Sequence, residues 1–184
     1  MRPADNPFAA HRLEALRFRS AETSVPGLAA RLGRGSGRGA IVGPKGSGKT
    51  TLLLELAGEL GARGTRVVLF RPNAGERVAP PAAGPDDALL VDGAGRLGPL
   101  SWLRLLVRSR RPALLIVTSH RATILPTLVR CAPTPDLAEE LAAELSDDPA
   151  FRPLARAAFA RRGGNVRETL RDLYDAAARG AGVV

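Results

Sequence analysis

The chain has 184 residues, a length that suits one compact domain with a small appendage. Its apolar fraction of 45% can fill a core and argues against global disorder, and no apolar run reaches the roughly 18 residues of a membrane span. The single cysteine, Cys131, excludes an internal disulfide or a cysteine-based zinc cluster, and the first thirty residues hold no apolar signal region. A cytoplasmic, soluble protein with no membrane association is therefore expected.

The formal net charge is +9, and the basic excess lies in residues 1–120. Residues 121–184 carry nine basic and nine acidic side chains. A basic body favours DNA or another polyanion as a partner. The same excess also follows from a composition rich in Arg, Ala, Gly and Pro, which is typical of GC-rich coding sequences, so the charge alone leaves DNA binding open.

The elements predicted from the pattern begin with an irregular lead-in over residues 1–37, which holds one short amphipathic helix at 25–32. From residue 38, short apolar runs alternate with two helical patterns, at 49–60 and 99–108, and with a proline-rich loop at 71–87. The predicted strands are 39–42, 66–70, 88–92, 113–119 and 127–131. Continuous apolar strands are typical of a parallel sheet covered on both faces. The sequence therefore predicts an α/β core over 38–134 with a parallel sheet of about five strands.

Helical patterns alone follow residue 135. They cover 136–146, 150–161 and 165–178, with breaks at Asp147-Asp148-Pro149 and Gly163-Gly164. We therefore expect a small C-terminal helical region over 135–180.

A phosphate-binding loop is predicted between the first strand and the helix that follows it. The stretch GPKGSGKT fits the Walker A pattern G-x-x-x-x-G-K-[ST] in the required strand–loop–helix context. Its backbone N–H groups and the helix N-terminus favour a phosphate, Lys49 would reach the β- and γ-phosphates, and the Thr50 hydroxyl would ligate Mg²⁺. The predicted nucleotide-binding residues are Gly43, Pro44, Lys45, Gly46, Ser47, Gly48, Lys49, Thr50 and Thr51.

Two further strand ends carry candidate residues. The run ALLVD ends in Asp92, which would hold Mg²⁺ through water in the manner of a Walker B aspartate. Thr118, Ser119 and His120 stand at the end of the fourth strand. Ser119 and His120 are candidates for sensing the γ-phosphate or orienting the attacking water. The alternative is that these hydroxyls only cap a turn.

These motifs together resemble the P-loop NTPases, and residues 159–177 (FARRGGNVRETLRDLYDAA) look like the lid of AAA+ ATPases. The tripeptide NPF at 6–8 is similar to the lead-in of the compact AAA+ ATPases of secretion and transposition systems. The resemblance implies a P-loop NTPase core followed by a helical lid at 135–180, with ATP and Mg²⁺ as cofactors. It also implies that Arg167 is the sensor 2 arginine, which contacts the γ-phosphate, and that Ser119 or His120 is sensor 1. For Arg167, the alternative is a surface residue on a charged helix.

The chain departs from the AAA+ pattern at three places. Gly93 stands where the family has the glutamate that polarises the attacking water, and Glu76 in the proline-rich loop is a weak substitute. The helix usual between the second and third strands is missing. For an arginine finger, Arg121 and Arg130 are candidates without a defining motif. We therefore expect a slow or partner-stimulated Mg²⁺-dependent ATPase that acts as a nucleotide-driven conformational switch.

Other functions stay open at this point. A homo-oligomer is one open possibility. Another is an ATP-dependent binding module with little hydrolysis, which docks on DNA or a protein partner. Its basic surface would be the arginines near Trp102, unless these only form a solvated helix face. They are Arg104, Arg108, Arg110 and Arg111. A small-molecule P-loop kinase fits less well because all the additional helices follow the sheet. No LSGGQ-like signature indicates an ABC ATPase, and no N-K-x-D motif indicates guanine recognition.

Overall fold

A computed structural model of the chain describes residues 2–20, 23–32, 37–73, 81–108 and 113–180. Its five strands form one all-parallel sheet. They are β1 (Arg38–Val42), β2 (Val67–Phe70), β3 (Ala88–Val91), β4 (Leu114–Ser119) and β5 (Thr127–Arg130). The predicted α/β class, with a parallel sheet of about five strands followed by C-terminal helices, is confirmed.

Seven α-helices are present in the described residues. They are α1 (Ala10–Ala15), α2 (Val25–Leu32), α3 (Lys49–Ala62), α4 (Pro99–Arg108), α5 (Pro135–Leu145), α6 (Phe151–Arg161) and α7 (Val166–Ala178). Single 3-10 turns lie at Pro3–Asp5 and Ala94–Arg96. The predicted bounds hold to within two residues. The helix predicted at 25–32 is α2, and α1 is an additional helix of the lead-in that was not predicted.

The chain divides into two compact units. The helical unit comprises Met1–Arg19, Pro44–Gly48 and Ala132–Val184. The sheet unit comprises Ser20–Gly43 and Lys49–Cys131. The two units are described separately below.

The sheet unit has the strand order β2-β3-β4-β1-β5, so β2 and β5 are the edge strands. Every residue of β3 and β4 is buried, which matches their continuous apolar sequence. One sheet face packs against α4 through Leu105, which lies in a cluster with Leu89 and Leu115. The fully buried leucines of α3 show that this helix is also part of the core; they are Leu52, Leu53 and Leu56. Between β2 and β3, the described residues 71–73 and 81–87 form no helix, as predicted.

The helical unit is built around α5, α6 and α7, and the N-terminal residues belong to its core. Phe8 is 1% exposed and packs edge-on against Phe151, with ring centroids 4.9 Å apart. The Asn6 side chain donates to the backbone carbonyl of Tyr174. Thr134 caps α5 by accepting from the Leu137 N–H, and Asn165, which follows the predicted break at Gly163-Gly164, caps α7 by accepting from the Glu168 N–H; capping of this kind is typically worth about 1 kcal/mol.

None of the described helices combines the length and the apolar character that crossing a membrane requires.

Candidate functional site

Three polar side chains lie in line at the carboxyl ends of three neighbouring strands. Arg71 follows β2, Asp92 follows β3, and Thr118 is the last residue but one of β4. The residues two positions earlier are paired across the sheet: Leu69 with Leu90, and Leu90 with Ile116. Because side chains alternate between sheet faces with a period of two, the three polar residues share one face at one edge.

Asp92 is the centre of this cluster, and hydroxyls reach it from two elements. Its Oδ1 accepts from the Thr118 hydroxyl at 2.9 Å and from the Thr50 hydroxyl at 3.1 Å. Its Oδ2 accepts from Arg71 Nε at 3.0 Å. The side chain of Asp92 is only 13% exposed, so these bonds replace most of its hydration. The carboxylate is therefore held in a fixed orientation, facing the start of α3.

The first turn of α3 brings the predicted lysine and threonine to this part of the sheet unit. Lys49 opens the helix and is 8% exposed, an unusual burial for a lysine. Thr50 and Thr51 are half-buried, and the Thr50 hydroxyl reaches Asp92. Cys131, which follows β5, is close enough to Lys49 for its pKa to be lowered by the ammonium charge. Burial is the larger influence and raises the pKa of this thiol to about 11.

The predicted phosphate loop runs from β1 to α3, and its residues 44–48 are assigned to the helical unit. Pro44 and Lys45 are exposed, whereas Ser47 is 6% exposed. Among the residues that the structure describes, the Ser47 hydroxyl is the one buried side-chain polar atom with no hydrogen-bond partner. Such a group usually indicates a ligand or a water molecule. This hydroxyl is thus available to an anionic ligand of the loop.

Glycine is strongly favoured at position 46 of this loop, for two reasons. Its φ of +75° lies in the left-handed region, and a Cβ atom there would come within 1.8 Å of Asn165 Oδ1. Asn165 is the residue that caps α7 within the same unit. Gly48 also has a positive φ, of +83°. The loop therefore adopts backbone conformations that the glycines of the Walker A pattern supply.

Ser119 and His120, the predicted sensor candidates, do not contact Asp92 through any recorded hydrogen bond. Ser119 is 7% exposed, and its hydroxyl accepts from the backbone N–H of Arg121 at 3.3 Å, as in a capped turn. His120 is exposed. It is their neighbour Thr118 that reaches the carboxylate. The sensor role of Ser119 and His120 stays a prediction, and the hydrogen bond of Ser119 matches the turn-capping alternative.

The predicted arginines are exposed and lie on different elements. Arg167 is the second residue of α7 in the helical unit, and Arg121 and Arg130 lie in the sheet unit. Their roles stay predictions. Gly93 has φ +90° and begins the turn Ala94–Arg96. Three residues of the predictions lie outside the described residues: Glu76, Arg110 and Arg111.

The residues present fit Mg²⁺ and a phosphate group. In the described part of the chain, no three His, Cys, Asp or Glu side chains cluster as a metal site, so Asp92 would be the single carboxylate. One carboxylate with a hydroxyl and phosphate oxygens is a ligand set that Mg²⁺ commonly uses. The buried ammonium of Lys49 and the hydroxyl of Ser47 suit an anion. Lys49, Thr50 and Asp92 would hold the two groups.

The sequence analysis missed Arg71 and did not single out Thr118. Arg71 was assigned to the loop 71–87, although it stands directly after a predicted strand, as Asp92 does. The available signal was that Arg71 and Asp92 both lie at the carboxyl end of a predicted strand. It becomes interpretable only once β2 and β3 are known to be neighbours.

No protein-family model matches the chain, and no curated protein is significantly similar to it.

Proposed function

We propose that this protein binds ATP with Mg²⁺ and acts as a slow or partner-stimulated ATPase that switches conformation with its nucleotide. The observation that carries the proposal is the contact of Thr50 with Asp92 at 3.1 Å. A threonine at the start of the helix after a Walker A loop, joined to an aspartate at the end of a buried strand, is the pairing that holds Mg²⁺ in P-loop NTPases. The two residues are 42 positions apart in the sequence.

Lys49, Thr50 and Asp92 each have a distinct task in this proposal. Lys49 supplies a buried positive charge for the β- and γ-phosphates, and the loop backbone donates N–H groups to the phosphate oxygens. Thr50 and Asp92 orient the cation, which supplies charge neutralisation and a fixed position for the terminal phosphate. The loop follows β1, an interior strand that lies between β4 and β5, and this supports the assignment, since ligands of open α/β sheets bind at the carboxyl ends of the strands.

Hydrolysis is expected to be slow, because the residue after Asp92 has no side chain. Gly93 can neither accept a proton from water nor orient it. General-base catalysis typically contributes about 100- to 10,000-fold to a rate. A protein without that contribution keeps its ATP for longer, which suits a switch better than a motor.

The test is ATP affinity measured by calorimetry with Mg²⁺ present, in wild type and in two lysine variants. Lys49→Ala is expected to lose roughly 100-fold in affinity, because it removes a buried charge-assisted contact. Lys45→Ala is the comparison: it removes the only other lysine, which is exposed in the same loop and is expected to contribute less to affinity. An unchanged affinity in Lys49→Ala, or equal losses in both variants, would contradict the site. Phosphate release above the background of Lys49→Ala would establish turnover.

A second candidate function is a nucleotide-dependent binding module, and α4 is the observation that favours it. Leu100 and Leu103 are each 57% exposed, and Val107 is 52% exposed, so an apolar stripe faces solvent at helical spacing. Arg104 and Arg108 on the same helix are also exposed. No aspartate or glutamate occurs in residues 93–135, which contain seven arginines. The partner that matches both features is an acidic amphipathic helix of another protein, because DNA would leave the apolar stripe uncovered.

This candidate is tested with two probes: a synthetic helix of leucine and glutamate, and a mixed-sequence DNA duplex, each with and without ATP. Leu103→Ser is expected to weaken binding of the peptide and to leave DNA binding unchanged. Arg104→Ala combined with Arg108→Ala should weaken both. Binding of the duplex alone, with an affinity that falls steeply with salt, would identify a nucleic-acid surface instead.

A further inference from the structure

An ion pair between Arg71 and Asp92 adds a positive charge to the candidate cation site. Arg71 Nε lies 3.0 Å from Asp92 Oδ2. The side chain of Arg71 is 52% exposed, whereas that of Asp92 is 13% exposed. A nearly buried carboxylate needs a counter-charge, and here the arginine supplies it.

The same carboxylate oxygen cannot serve Arg71 and a divalent cation equally well. Thr118 donates to Oδ1, the Thr50 hydroxyl lies 3.1 Å from Oδ1 and 3.2 Å from Oδ2, and Arg71 Nε donates to Oδ2, so both oxygens of the carboxylate are already in use. A cation that uses Asp92, directly or through water, needs lone pairs of this carboxylate, and two positive charges at one carboxylate repel each other. Binding of one therefore weakens binding of the other.

We propose that Arg71 is a built-in competitor of the divalent cation and sets the Mg²⁺ concentration at which the site loads. It neutralises Asp92 while the cation is away, and it leaves the carboxylate when the cation binds. The inference rests on the proposed function, because it concerns the same carboxylate.

Asp92 and Arg71 differ in their freedom to move, and this difference determines which side chain moves away when the cation binds. Asp92 is held by both threonine hydroxyls, and its backbone N–H donates to the carbonyl of Phe70 at 2.8 Å. Arg71 is a half-exposed side chain that follows the edge strand β2, so its guanidinium can turn into solvent at little cost.

A matched control exists at the other end of the same two strands. Arg66 precedes β2, Asp87 precedes β3, and Arg66 Nη1 lies 3.1 Å from Asp87 Oδ2. This pair has a similar contrast in exposure, 72% against 9%. Arg66→Ala therefore removes an equivalent ion pair at the opposite sheet edge from Asp92.

The experiment measures binding of a fluorescent ATP analogue at graded Mg²⁺ concentrations in the full chain. Arg71→Ala and Arg71→Gln are expected to lower the half-saturating Mg²⁺ concentration roughly fivefold, the upper range for a partly exposed ion pair. Arg71→Lys, which keeps the charge, should lie close to wild type, and Arg66→Ala should match wild type. A second readout is the rise in Tm on adding Mg²⁺ at fixed nucleotide, which should begin at lower Mg²⁺ in the two neutral variants.

Three other outcomes would each overturn the inference, and each has a different meaning for the proposed function. An unchanged Mg²⁺ dependence in both neutral variants, with nucleotide binding intact, defeats the competition and leaves the proposed function standing. Weaker binding at saturating Mg²⁺, with the same Mg²⁺ dependence, makes Arg71 a nucleotide ligand instead. If the wild type binds no nucleotide at any Mg²⁺ concentration, the proposed function fails and the inference falls with it.

Discussion

The hydroxyl of Thr118 joins Asp92 to the backbone that follows it. It donates to Asp92 Oδ1 at 2.9 Å and accepts from the N–H of Gly93 at 2.7 Å. Thr118 is 1% exposed, so water cannot replace it in either bond. This single side chain therefore fixes both the carboxylate and the start of the turn after it.

Thr118→Val is expected to destabilise the sheet unit by about 1–3 kcal/mol, because it leaves the Gly93 N–H without its partner in a buried place. Thr118→Ser keeps the hydroxyl and should cost about 1 kcal/mol, for the lost methyl group. The measurement is urea unfolding followed by the fluorescence of Trp102, the only tryptophan, which lies in this unit. Equal stability of the valine and serine variants would show that the hydroxyl has no such role.

Gly46→Ala should destabilise the helical unit by more than backbone strain alone explains. An alanine with a left-handed backbone costs about 1–2 kcal/mol, and here its Cβ would also collide with the Asn165 side chain. Gly163→Ala is the control in the same unit, since Gly163 has a φ of +57° and no atom within 4 Å of an added Cβ. We expect Gly46→Ala to cost at least about 1 kcal/mol more than the control in denaturant unfolding. Similar costs for the two variants would contradict the close contact.

Phe8→Ala should loosen the C-terminal helices although Phe8 is far from them in sequence. The ring is buried against Phe151, and removing such a ring typically costs about 3–5 kcal/mol. Hydrogen exchange of the α5, α6 and α7 amides is expected to accelerate. His11→Ala, at an exposed position of α1, serves as the control and should change exchange very little. Unaltered protection in Phe8→Ala would mean that the N-terminal residues do not stabilise these helices.

Cys131 should react slowly with alkylating reagents in the native protein. Burial raises the pKa of its thiol to about 11, so little thiolate forms at pH 8, and we expect a rate at least about 100-fold below that of an exposed cysteine. The raised pKa also means that the folded state binds this proton more tightly than the unfolded state. The contribution to stability is therefore complete below about pH 9, the ordinary pKa of the thiol being 9.0, and is lost as the pH rises toward 11. Cys131→Ala should remove that part of the pH dependence; an identical alkaline profile in both proteins would contradict it.

The sequence predicted the sheet well because its strands are buried on both faces. Continuous apolar runs such as 88–92 and 113–119 have few other stable conformations, and glycines or prolines mark their ends. The stretch that fits the Walker A pattern was identifiable for a similar reason, since the whole pattern lies within eight consecutive residues. The Thr50 and Asp92 contact followed from a pattern in which both partners occupy fixed places.

What could not be predicted depends on contacts between distant segments. The packing of Phe8 on Phe151 requires knowing that residues 1–19 join the C-terminal helices, and no periodicity in that proline-broken stretch indicates a core residue. The proximity of Arg71 to Asp92 could be recognised only once the order of the strands was known. Helix α1 was missed because six residues are too few to show a hydrophobic period.

The backbone at Gly93 has a consequence for how this protein could change over time. With φ +90° and ψ 41°, the position suits glycine, and any other residue would be strained there. A glutamate introduced at this position would therefore carry a backbone strain of about 1–2 kcal/mol together with its carboxylate. Under the proposed function, a variant with faster turnover would therefore take its proton acceptor more readily from another element or from a partner than from position 93.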